Sequence, residues 1–211
     1  MKVDENRDLK LKSDGAKKRR SEQSYRAILQ STLAILAQKG YGALTIESIA
    51  ATAKVSKQTI YRWWSSKAAI VLEALITHAQ EQLPVPDTGS VRSDLEVLLS
   101  ATLHELAQPS GAIVRGLMAE AQLNPEFGQA FREDFIARRR QVVFEILRRG
   151  QKRGEISAIV DLELTVDLFY GPIWYRLLNQ HAPLDEGFAQ HLLAQIFTGL
   201  HSQRPSGSVT N

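Results

Sequence analysis

Cysteine is absent from the 211-residue chain, which rules out a disulfide framework, a thiolate metal site and thiol redox sensing. Long apolar runs are missing too. The longest, around Ala68–Ile76, is interrupted by Glu73 and falls far short of the ~20 residues a membrane-spanning helix needs. No apolar segment follows the basic start, so no signal peptide is read there, and the expected location is cytoplasmic. Strand-like alternation of convincing length is not found. Nor is there a G-x-S-x-G elbow, a phosphate-binding glycine loop or a pair of carboxylates clustered among apolar residues, so an enzyme is not expected. "HELAQ" at His104 approximates the zinc-protease pattern HExxH, but Gln108 stands where the second histidine is required. No metal and no cofactor are expected.

What remains is an ordinary globular composition, 44% apolar and 23% charged. The net charge is only +3, but it is unevenly placed. Residues 1–72 hold 14 Lys/Arg against 6 Asp/Glu, and the remainder holds 12 against 17. A basic head on an acidic body points to a polyanion at one end and another task at the other.

Helical periodicity and punctuation divide the chain. Residues 1–20 are polar, end in Lys17–Arg20 and show no apolar stripe, so a disordered basic arm is expected. A first helix is predicted from Glu22 to Lys39 with Ile28, Leu29, Leu33 and Leu36 inward, stopped by Gly40 and Gly42. Thr45 caps a second helix, Ser56 a third (about Lys57–Trp64) and Ser66 a fourth, reaching about Leu83. Pro84, Pro86, Asp87 and Gly89 read as a linker. Five further helices follow, at about Val91–Ala107, Ala112–Leu123, Pro125–Arg153, Leu162–Gln180 and Glu186–Ser202. The expected division is an arm at 1–20, a first helical domain at 21–67, a connecting helix at 68–83, a second helical domain at 84–203 and a flexible tail at 204–211. The fold class is all-α with about nine helices.

The second and third helices, joined by a tight turn, form a helix-turn-helix in a three-helix bundle. At about 100° per residue, Ile60 and Trp64 share the inward face, and Gln58, Thr59 and Arg62 take the opposite one. Tyr61 and Trp63 fall on the flanks, with Trp63 free to lie along a DNA backbone. Gln58 suits adenine and Arg62 guanine, each by two hydrogen bonds. The Thr59 and Tyr61 hydroxyls suit phosphates or a thymine edge, as Lys57 and Lys67 suit phosphates. With Thr45 at the start of the motif, these eight residues are the candidate DNA contacts.

The stretch "LTIESIAATAKVSKQTIYRWWSSKAAI" resembles the DNA-binding signature of the tetracycline-repressor (TetR/AcrR) family, over roughly residues 22–75. "GPIWYRLL", Gly171–Leu178, is similar to a subset of its ligand-binding domains. One departure is Lys54, where the family often has glycine; the turn is expected to persist. The resemblance implies a homodimer on a palindromic operator, most commonly a repressor, released when a small molecule fills the C-terminal domain. A transcriptional activator of the same fold, or an architectural DNA-binding protein without an effector, are the alternatives.

In the body, the last helix carries Phe188, Leu192, Leu193, Ile196, Phe197 and Leu200. That wide stripe is expected either at a four-helix dimer seam or in a monomeric core. Pro172 is expected to kink its helix, shaping a cavity or the seam. Candidate pocket residues are Met118, Phe131, Phe135, Phe169, Trp174 and Tyr175, with His104 and Arg115 as polar anchors. The basic runs of the seventh helix could suggest anion binding, but with Asp134 and Glu145 four residues from Arg138 and Arg149 a solvated, salt-bridged face is expected.

Overall fold

The computed structural model describes residues 3–80 and 85–202, with side chains from 21 to 77 and from 85 to 200. Among these residues the structure is helical, without strands. Two compact units divide at residues 81/82. The expected end of the fourth helix at Leu83, Pro84 of the linker and the tail at 204–211 lie outside the described residues.

In the first unit, α1 runs from Val3 to Lys39. It therefore extends back through the segment expected to be a disordered arm. That segment lacks an apolar stripe, but Lys, Leu, Arg, Glu and Ala are strong helix formers, and Asp4 and Glu5 sit where the helix dipole favours anions. Helices α2 (Ile46–Ala53), α3 (Lys57–Tyr61) and α4 (Lys67–Gln80) complete the unit. Its core is Ile28, Leu29, Leu36, Leu44, Ile49, Ile60, Trp64, Ile70 and Val71. Leu33 is only half-buried; the buried face of α1 includes Thr32 instead. That hydroxyl donates to the Ile28 carbonyl at 2.8 Å, which satisfies it inside an apolar core.

The second unit begins with α5 (Val91–Ala107), capped by Ser90, and α6 (Pro109–Leu123). Helix α6 starts three residues earlier than expected because Pro109 occupies its first turn, where a missing N–H costs nothing. The next helix, α7, is continuous over residues 125–152 but not uniform. Pro125–Ala130 passes through a π-helical turn, Phe131–Ile136, into Ala137–Lys152. The Ala137 N–H reaches the Arg132 carbonyl, five residues back. Helices α8 (Leu162–Asn179) and α9 (Glu186–Ser202) close the unit. Helix α5 packs on α6, α7 and α9, while α8 packs on α6, α7 and α9. The core holds Leu95, Leu99, Leu117, Ile146, Leu147, Val166, Phe169 and Ile173.

Of the two settings expected for the α9 stripe, a dimer seam or the core of one chain, its side chains occupy the second. The α9 stripe, Phe188, Leu192, Leu193, Ile196, Phe197 and Leu200, is buried inside the single chain, every residue at or below 9% exposure. It faces α5 and α8: Arg92 covers the Phe197 ring at 4.3 Å and Arg176 covers Phe188 at 4.1 Å. The open apolar face belongs to α8 instead, where Leu164, Leu168, Tyr175 and Leu178 are 45–62% exposed.

The basic runs of α7 form a salt-bridged face on which Arg138, Arg148, Lys152 and Arg153 are exposed, but the pairing differs from the expected one at four-residue spacing. Arg149 pairs with Asp87 at 3.2 Å and Asp94 at 3.5 Å, and donates to the Pro86 carbonyl. Asp94 is fully buried and accepts from the Thr88 N–H and hydroxyl at 2.6 and 2.7 Å. Arg140 holds Glu163 and Asp167 on α8, and Arg139 holds Glu105 on α5. The charges of α7 fasten neighbouring segments together; Glu145 pairs with Arg148, not Arg149.

Candidate nucleic-acid interface

Helix α2 opens on a reciprocal cap. Thr45 Oγ1 accepts from the Ser48 N–H, and Ser48 Oγ accepts from the Thr45 N–H, both at 3.1 Å. It ends at Lys54, whose φ of 54° and ψ of 44° lie in the left-handed region. The Val55 N–H then returns to the Ala50 carbonyl at 3.0 Å, so the tight turn forms with lysine in a position that favours glycine. Ser56 caps α3 by accepting from the Thr59 N–H at 3.1 Å.

Regular α3 is only five residues long, ending before the expected Trp64. Arg62 keeps right-handed geometry as its C-terminal cap, and the Trp63 and Trp64 N–H groups both fold back to the Ile60 carbonyl. The faces consequently survive the shortening. Ile60 and Trp64 are 0% and 4% exposed, while Lys57, Gln58, Tyr61 and Arg62 are exposed and Thr59 is half-buried.

The remaining candidates are engaged in ways their sequence positions did not reveal. Thr45 serves α2 as its cap. Lys57 forms an exposed ion pair with Glu47 at 3.0 Å. Their mutual hydrogen bond raises the lysine pKa and lowers that of the glutamate. Lys67 opens α4, but its ammonium donates to the Leu44 and Tyr41 carbonyls at 3.2 and 3.4 Å and lies 4.6 Å from the Tyr41 ring centre. It ties the α1–α2 loop to α4. Trp63 does not lie free on the flank: it is half-buried, edge-on to Tyr25 and Trp64, with the Arg62 guanidinium 4.5 Å above its ring.

Behind these residues sits a group that sequence reasoning missed. Tyr25 on α1 stacks on Trp64 at 5.2 Å, and Glu73 on α4 accepts from both the Tyr25 hydroxyl and the Trp64 indole N–H. Burial first, then the carboxylate's hydrogen bond and charge, push the Tyr25 pKa up to about 12. The available signal was Glu73 itself, an acid inside the most apolar run of the chain, opposite aromatics with polar tips that need partners when buried.

A capped helix-turn-helix with an apolar inner face and a polar outer one is the geometry that enters a major groove. Family comparison agrees with it. Residues 28–74 match the model for bacterial regulatory proteins of the tetR family, and residues 85–196 match the tetracyclin repressor-like C-terminal domain. The chain belongs to the tetR family of transcriptional regulators. This regulator is 34% identical to the uncharacterized HTH-type transcriptional regulator YdeS of Bacillus subtilis, over 90% of the regulator and 96% of YdeS. It is 29% identical to the DNA-binding transcriptional repressor TetR of Mycobacteroides abscessus, over 84% and 93% of the respective chains. Among solved structures it is similar to the TetR family transcription regulator SCO0332, with a TM-score of 0.75 and 33% identity over 84% of the regulator and 98% of that chain. TetR-family regulators bind DNA, are dimers, are typically ligand-responsive repressors, and are not enzymes.

In the regulator's body, a cavity of about 310 Å³ is lined by Ile136, Arg139, Arg140, Asp167, Tyr170, Gly171 and Trp174. Of the expected pocket residues only Trp174 borders it. Phe131, Phe135 and Phe169 are core: the first two stack at 4.9 Å, and Phe169 meets Tyr170 edge-on. Arg115 and Met118 are half-buried away from it, His104 is exposed, and Tyr175 is exposed beside His181. Helical periodicity marks aromatic residues as inward, and most inward aromatics fill space rather than line it. No helix among the described residues is long and apolar enough to cross a membrane.

Proposed function

We propose that this regulator reads a palindromic operator as a homodimer, represses from it, and releases it when a small molecule occupies the C-terminal body. Gln58 and Arg62 read base edges. Thr59, Tyr61 and Lys57 contact phosphates or sugars, Lys57 by exchanging its Glu47 partner for a phosphate. Lys67 acts one step back, holding the loop that carries Leu44 and Thr45. The observation that carries this reading is the split between buried Ile60 and Trp64 and exposed Gln58 and Arg62 on so short a capped helix.

The exposed α8 face supports the second copy. Leu164, Leu168, Gly171, Tyr175 and Leu178 follow one another at spacings of three and four, the stripe a helix presents to a partner. Two copies joined there would offer two recognition helices, which read half-sites one helical turn, about 34 Å, apart. The cavity beside Trp174 shares Gly171 with that stripe, so a ligand filling it also touches the proposed seam.

The test is binding of the full chain to a duplex selected by the wild-type protein from a random pool, against its single-base variants. Arg62→Ala is expected to relax preference at one base pair per half-site by about 1–3 kcal/mol. Lys67→Ala is expected to weaken all sequences evenly. Unchanged base preference in Arg62→Ala refutes the assignment of this face.

A further inference from the structure

Because regular α3 spans only Lys57–Tyr61, the orientation of Gln58 and Arg62 depends on what anchors its ends. The N-terminal end is held by the Ser56 cap. The C-terminal end is held by Trp64, whose ring is 4% exposed and whose N–H has its acceptor on another helix, at Glu73.

We infer that Glu73 is a positioning residue for DNA reading: its one carboxylate ties Tyr25 of α1 and Trp64 to α4, and so sets the angle at which α3 presents Gln58 and Arg62. The geometry supports this in three ways. Each carboxylate oxygen has its own donor, Tyr25 Oη at Oε1 and Trp64 Nε1 at Oε2, so the carboxylate bridges rather than makes a single contact. The two donors are themselves stacked, with rings 5.2 Å apart and 22° from parallel, so neither can swing without breaking the other's bond. The chain of contact then runs outward without a gap: Trp64 meets Trp63 at 5.5 Å, and Trp63 carries the Arg62 guanidinium at 4.5 Å. Hydrogen bonds to a charged acceptor are the stronger kind, and a partly buried indole N–H left without one is costly. Removing the carboxylate frees the end of α3 that bears Arg62, while the apolar core of the unit, Ile28, Leu36, Ile49, Ile60 and Ile70, is untouched.

The inference rests on α3 being the reading element. The experiment measures the ratio of affinities for the selected duplex and a random duplex, at one stated salt concentration, for the full chain and for Glu73→Leu, Glu73→Gln, Tyr25→Phe and Arg62→Ala. Glu73→Leu is expected to lower the ratio by about tenfold. Glu73→Gln, which keeps an oxygen for the indole, is expected to recover most of it. A lowered melting temperature with an unchanged ratio in Glu73→Leu makes Glu73 a strut and overturns the inference. If Glu73→Leu does not fold, Tyr25→Phe decides, because it removes only one donor: about a threefold loss of ratio supports the inference, and none overturns it. Arg62→Ala separates the two layers. A ratio lost in Arg62→Ala but kept in Glu73→Leu ends the positioning role alone; a ratio kept in Arg62→Ala ends the reading on which it stands.

Discussion

Replacing Lys54 by glycine should stabilise the first unit and weaken its grip on DNA at the same time. The lysine sits at φ 54° and ψ 44°, where a side chain crowds the following carbonyl at a cost of about 1–2 kcal/mol. Glycine removes that cost but gives the unfolded chain more freedom, returning about 0.4–1 kcal/mol. The net gain is therefore about 0.5–1 kcal/mol, or a rise of roughly 1–4 °C in Tm for a chain of this size. The Lys54 side chain is exposed at the turn before α3, a cation beside the proposed reading helix, and removing it should flatten the plot of log affinity against log salt by up to about 0.9. Gln180, the left-handed cap of α8 at φ 53°, is the internal control. Gln180→Gly should raise Tm through the same mechanism and leave the salt dependence alone. Differential scanning calorimetry and binding across a salt series read both quantities. A fall in Tm for Lys54→Gly beside a rise for Gln180→Gly refutes the strain argument at the turn.

Three further outcomes follow from packing and charge. Gly150→Ala puts its new methyl 2.1 Å from Val91 Cγ2 and 3.2 Å from Ile156 Cδ1, where α5 meets α7; chemical denaturation should show a loss of about 1–3 kcal/mol. Leu168→Glu places a charge in the middle of the exposed α8 face; analytical ultracentrifugation should find monomers, with an unchanged helical circular dichroism spectrum. Tyr25 and Tyr170 both have pKa values pushed up to about 12, in each case chiefly by burial. Unfolded tyrosine ionises near 10, so the folded state holds these protons longer, and the stability they contribute is complete below pH 10 and declines between about pH 10 and 12. Ultraviolet titration of tyrosinate should show Tyr25 and Tyr170 ionising late, and Tyr25→Phe should remove one late component.

The parts of this molecule that were legible in its sequence are those decided within a few residues. Caps at Thr45 and Ser56 announce helix starts, because a side-chain oxygen three residues from an N–H needs no distant partner. Ile60 and Trp64 were readable as inward because 3.6-residue periodicity is likewise local. Beyond the extent of some helices, what failed was the choice of partner. The α9 stripe was visible, but periodicity does not say whether it meets the same chain or a second copy, and it meets α5 and α8. Arg149 had an acid four residues away and bonds instead to Asp87 and Asp94, more than fifty residues distant. Lys67 and Glu73 were in plain view, yet their roles depend on carbonyls and aromatics that only the folded unit brings near.

The π-helical turn at Phe131–Ile136 has a consequence for how this helix tolerates changes in length. A wide turn absorbs a supernumerary residue, so Pro125–Ala130 and Ala137–Lys152 keep the angular register of an uninterrupted helix one residue shorter. Shortening the chain by one residue inside that turn should therefore regularise the helix and leave both flanks aimed as they are. Shortening it by one anywhere between Val143 and Arg148 should rotate the downstream part by about 100° and carry Arg149 away from Asp94.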